Sequence, residues 1–136
     1  MTYELKSHTA DVAVEATADS LGGVFAACAD GMAEAMTEEW PDAGDRFSFE
    51  ERANAREALL YDYLDRLIYE RDVRGVLPVA NDATVTREGD EWVVRGSARG
   101  VPLAAVHARD LKAVTYSEMD LSETDGGWHA YVVFDV

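Results

Sequence analysis

The sequence predicts an α+β fold: a mixed β-sheet of about seven strands with two main helices in a single domain. Three observations carry that expectation. Two segments place apolar residues at three- and four-residue steps, which is the helical period. Several others alternate apolar and polar residues, which is the strand period. Their order also lacks the regular strand–helix alternation of a doubly wound sheet.

The elements follow in chain order. Tyr3 to Lys6 and Asp11 to Ala18 read as strands, the second with Val12, Val14 and Ala16 alternating against Ala13, Glu15 and Thr17. Asp19 or Ser20 offers an N-cap. The helix behind it carries Leu21, Val24, Phe25, Cys28, Met32 and Met36 on one stripe. Gly22 and Gly23 weaken its first turn. Residues 38–45 form a loop. Arg46 to Glu51 alternates through Phe47 and Phe49. A second helix is expected from about Asn54 to Glu70, burying Leu59, Leu60, Tyr63, Leu64, Leu67 and Ile68. Gly75 and Pro78 are expected to break the chain. Ala83 to Arg87 and Trp92 to Ala98 flank a turn at Glu88-Gly89-Asp90, a hairpin signal. Gly100 through Asp110 reads as irregular. Lys112 to Leu121 and Trp128 to Val136 are the last strands, joined at Asp125-Gly126-Gly127.

At 136 residues the chain is expected to form one domain, residues 1–136, with a core that needs no disulfide. Cys28 is the single cysteine, which excludes an internal disulfide and a multi-cysteine zinc site. Polar Thr2, Glu4 and Lys6 do not make a signal peptide. No apolar run approaches the roughly 20 residues that span a bilayer. A cytoplasmic protein with no membrane partner is expected.

Charge is the unusual property. Acidic residues outnumber basic ones 27 to 12, for a net charge of −15. Ten of the basic residues are arginine; the lysines are Lys6 and Lys112. Self-repulsion of this size destabilises a compact state at low salt and is screened at high salt. A halophile's cytosol is the expected setting. The same charge opposes tight, direct nucleic-acid binding, which draws its affinity from Lys and Arg on phosphates.

Candidate chemistry lies at the two ends. An apolar strand pattern runs to Val136, so Asp135 stands beside the terminal carboxylate in an element that the fold holds. Two adjoining carboxylates are hard oxygen ligands for a cation. Asp11, behind His8-Thr9-Ala10, joins them if the first and last strands are neighbours. The alternatives are a solubility charge on an edge strand for Asp135, and a surface histidine with a turn-capping aspartate for His8 and Asp11. Cys28 belongs to the core. His107 and His129 lack metal-ligand spacing, and His129 is expected on a solvated strand face. Trp40, Trp92 and Trp128 are expected in the core or at its rim, and Glu57, Asp62 and Asp65 on a solvated helix face. No Gly-rich phosphate loop or Ser/His/Asp set is present.

Five blocks together resemble the archease family along nearly the whole chain. They are His8-Thr9-Ala10-Asp11-Val12; the helix with Ser20-Leu21, Phe25-Ala26, Met32 and Met36-Thr37; the run from Leu59 to Tyr69; Leu111 to Tyr116; and Phe134-Asp135-Val136. The resemblance implies an accessory protein, not an enzyme: an activator of the RtcB-type RNA ligase of tRNA splicing. It would promote GTP-dependent guanylylation of the ligase and its turnover. It also implies a divalent-metal site with Asp11, Asp135 and the Val136 carboxylate as ligands. Oxygen ligation suits calcium, magnesium or manganese better than zinc. His8, Lys112 and Tyr116 are implied as supporting or partner-facing residues. The chain departs from the family at Ser7, often acidic there, at Thr17-Ala18, where tryptophan-glycine is usual, and at Gly22-Gly23, which replaces an acidic pair. A free-standing metal-dependent phosphoester hydrolase and a chaperone-like interaction module are the competing readings.

Overall fold

The computed structural model describes residues 2–7 and 11–136. The strands are β1 (Thr2–Ser7), β2 (Asp11–Ala18), β3 (Asp45–Ala53), β4 (Val76–Glu88), β5 (Glu91–Pro102), β6 (Ala113–Thr124) and β7 (Gly127–Asp135). The helices are α1 (Leu21–Met36) and α2 (Arg56–Arg74), and a 3-10 turn spans Leu103–Ala105. The α+β class, the two helices and the seven strands agree with expectation. The strands divide into two sheets, ordered β1-β2-β7-β6 and β3-β5-β4. Every pairing in them is antiparallel.

Each helix packs against strands of both sheets. The shared core includes Val14, Phe25, Met32, Leu60, Tyr63, Leu64, Leu77, Leu111 and Phe134, all fully buried. Tyr63 lies at its centre, with ring centroids 5.5 Å from Phe25 and 5.6 Å from Phe49. Cys28 is buried in the same core, and burial pushes its thiol up to about 12. It is a packing residue, as expected.

Ser20 caps α1, its hydroxyl accepting from the Gly23 amide at 3.0 Å. Gly22, the first of the glycine pair that weakens the helix, is where α1 meets β4. A Cβ at Gly22 would lie 2.4 Å from the Ala83 carbonyl oxygen. Farther along α1, Asp30 accepts from the Asn81 backbone at 3.0 Å and its side chain at 2.9 Å. That clamps a bulge between Val79 and Asp82, where Ala80 has φ 49°.

Several boundaries differ from the sequence reading, three of them with a clear physical reason. Helix α2 continues to Arg74 and ends on Gly75, left-handed at φ 66° and ψ 40°. Glu70 and Arg71 are buried there. Arg71 donates to the Leu111 carbonyl at 2.7 Å. Strand β4 begins at Val76 and runs through Pro78, which pairs with Gly100. The proline does not break it because β4 is an edge strand, where the missing amide interrupts no ladder. Gly100 to Pro102, read as irregular, complete β5 against that extension.

Candidate metal centre

The four-stranded sheet brings the chain ends together. Strand β2 pairs with β7, and Asp11 and Asp135 are direct Cα partners. On its other side Asp135 pairs with Ala113 of β6. Residues opposite one another in an antiparallel pair share a face, with Cβ atoms about 5 Å apart. That face is the outer one. Val12, Val14, Ala16 and Ala18 of β2 point into the core with Ala130, Val132 and Phe134 of β7, so Asp11 and Asp135 point away from it.

This arrangement fits a hard cation. Like charges directly opposite one another destabilise a strand pair, and a cation between them reverses that effect. All donors are carboxylate oxygens, the type that calcium, magnesium and manganese take. Ala113, completing the rung, is too small to fill the space. Among the described residues no group of three His, Cys, Asp or Glu side chains could hold a metal. The proposed set has two such side chains and depends on a third donor, the terminal carboxylate. Val136 is half-buried and packs against the core.

The other expected residues divide. His8 lies outside the described residues. Lys112 is exposed, and its backbone amide donates to the Asp135 carbonyl at 2.8 Å, extending the ladder past β6. Tyr116 is not at the carboxylate pair. It is 55 % exposed and stacks on Tyr61 of α2 with centroids 4.2 Å apart.

A second polar cluster on the same outer face went unread in the sequence. His129 lies between Asp120 of β6, 2.8 Å from its Nδ1, and Glu15 of β2, 3.0 Å from its Nε2. The expected solvated histidine is a cross-strand clasp. Carboxylates only accept, so a histidine bonded through both nitrogens donates from both and is charged. The hydrogen bond to Glu15 raises its pKa most, burial lowers it, and Asp120 raises it further. The sequence signal was weak because a register shift between Thr115 and Asp120 hides which β6 residue faces β7.

Comparison with known proteins matches the chain to one family. The model of the archease protein family matches residues 3–136. The chain belongs to the archease family. Protein archease of Methanothermobacter thermautotrophicus is 30% identical over 137 residues, covering 98% of each chain. The solution structure of protein 1598 of Methanobacterium thermoautotrophicum superposes with a TM-score of 0.86 at 30% identity, again covering 98% of both chains. A crystal structure of an archease from Thermotoga maritima, described as a possible chaperone, gives a TM-score of 0.58 at 21% identity, covering 98% of this chain and 96% of that one. At that identity the likeness carries the fold alone. No described helix of this archease is long and apolar enough to cross a membrane.

Proposed function

We propose that this archease is an accessory activator of an RtcB-type tRNA-splicing RNA ligase. In this reading it promotes GTP-dependent guanylylation and multiple turnover through a divalent metal held by Asp11, Asp135 and the Val136 carboxylate. The supporting observation is the direct pairing of Asp11 with Asp135 across β2 and β7. A bound divalent ion supplies positive charge that neutralises phosphates during nucleotidyl transfer. The chain's own contribution is placement. Two ladders, to β2 and to β6, hold Asp135 in register, and the Val136 side chain packs against the core.

The competing hydrolase reading needs a general base at the metal. His129 shares the face, but both of its ring nitrogens are taken by Glu15 and Asp120. The chaperone-like reading predicts partner binding that persists in chelator.

Multiple-turnover ligation in molar KCl, with GTP and divalent metal, tests the proposal. The same organism's ligase is run alone, with this protein, and with its Asp135→Ala form. Stimulation by the wild type alone is the expected result. Stimulation by both forms would remove the metal site from the mechanism, and stimulation by neither would remove the ligase.

A further inference from the structure

One side of α2 has no partner in the fold. Tyr61, Asp62, Asp65, Tyr69 and Val73 recur along it at helical spacing. Tyr69 is 57 % exposed and Val73 63 %, among the largest apolar exposures described. Tyr116, from the bulged part of β6, extends this ridge, its ring lying flat on Tyr61 with an interplanar angle of 7°. Scattered exposed apolar residues are ordinary. Here they are aligned and interleaved with carboxylates.

The charges on the ridge are one-sided. Among the described residues neither Asp62 nor Asp65 has an ion pair, while neighbouring Glu51 is taken by Arg66 at 2.6 Å and Asp72 by Arg71 at 3.0 Å. Burial, and then Glu51 and Asp65, push the Asp62 carboxyl up. Burial, and then Asp62, push the Tyr116 phenol up. Both shifts come first from burial and only then from neighbouring negative charge.

We propose that this ridge docks an arginine-bearing segment of a partner protein. A guanidinium lies flat on a tyrosine ring while donating to an adjacent carboxylate, a geometry that lysine's point charge does not match. Tyr69 and Val73 cover the aliphatic stems of such side chains. Single-stranded RNA is the competing occupant, since bases also stack on tyrosines. The aspartates beside each ring repel its phosphates, so the surface favours a basic protein. The ridge adjoins the candidate metal centre: Tyr116 follows Ala113, the Cα partner of Asp135, by three residues, at most about 11 Å of chain. The inference does not rest on the ligase reading, because any protein with such a segment qualifies.

Amide chemical shifts of the labelled protein test it, with a capped peptide carrying arginine at every third or fourth position as the probe. Molar KCl screens diffuse attraction to the acidic surface. The expected shifts cluster at Tyr61 to Val73 and at Tyr116. Lysine in place of arginine weakens binding about fivefold, as does Tyr69→Ala or Asp65→Asn. Both substitutions are at exposed positions, and an unchanged melting temperature verifies that they fold. Shifts spread over all acidic faces, no saturable binding, or equal binding by the lysine peptide would overturn the proposal. So would a uridine-rich oligonucleotide that binds the ridge more tightly than the peptide.

Discussion

The outer faces of the two sheets handle charge in opposite ways. Strands β3, β4 and β5 carry six acids and five arginines. On their outer face Arg46 pairs with Asp82 at 3.4 Å, Arg52 with Glu50 at 3.0 Å, and Arg95 with Glu50 at 3.1 Å and Glu88 at 2.8 Å. This surface neutralises itself. Strands β1, β2, β6 and β7 carry seven acids against Lys6 and His129. Asp11 faces Asp135 across one rung, and His129 draws Glu15 and Asp120 together farther along. One face is finished by its own side chains. The other carries a large excess of acids, and it is there that the proposed divalent metal and a salty medium would act.

The difference sets the order of expected effects. The largest is general. We expect the melting temperature to rise on the order of 10 °C from low to molar KCl, as screening relieves self-repulsion. A flat dependence would remove the halophile reading. Neutralising Glu118 and Glu123 on the acidic sheet should reduce that salt response more than neutralising Glu50 and Glu88 on the paired one.

Divalent metal comes next. A ligand at 100 times its dissociation constant stabilises by about 2.7 kcal/mol, or about 9 °C for a chain of this size. Manganese should raise the melting temperature of the wild type by that order. It should do nothing for Asp135→Asn.

The histidine clasp is smaller, under about 1 kcal/mol, because the group is partly exposed and screened. Its sign is fixed by linkage. The folded pKa of His129 is raised, so its stabilisation is complete below the unfolded value of about 6.5 and is lost as pH rises through the folded value. Denaturation midpoints should therefore fall through that window in the wild type, and less in His129→Gln. A matching slope in the variant would remove the clasp.

The smallest effect is at Glu88, where hydrogen bonds from Arg95 and then Thr86 lower the pKa. That contribution is present above the ordinary carboxylate range and is lost as pH falls through the folded value. Glu88→Gln should flatten the acid limb slightly without changing metal binding.

How much of this was readable in the chain follows from the range of the interactions. Period and caps are local, so α1, β2 and the β6–β7 hairpin were legible from Leu21 to Met36, Asp11 to Ala18 and Asp125-Gly126. The Asp11–Asp135 pair was legible because both residues open or close an apolar strand run at a chain end. Pro78 misled because only the sheet order shows that its strand lies at an edge. The burial of Arg71 was hidden because its partner, the Leu111 carbonyl, lies far along the sequence. His129 was read as solvated because the register shift in β6 is set in three dimensions. Tyr61 gained its role only when Tyr116 stacked on it.

The most direct test of the account is a calorimetric manganese titration in molar KCl of the wild type, Asp11→Asn, Asp135→Asn and, from the opposite sheet, Glu88→Gln. The account predicts one saturable site, weakened about tenfold or more by either aspartate substitution and unchanged by Glu88→Gln. Equal affinity in all four proteins would contradict it, and would leave the facing carboxylates of β2 and β7 as surface charge alone.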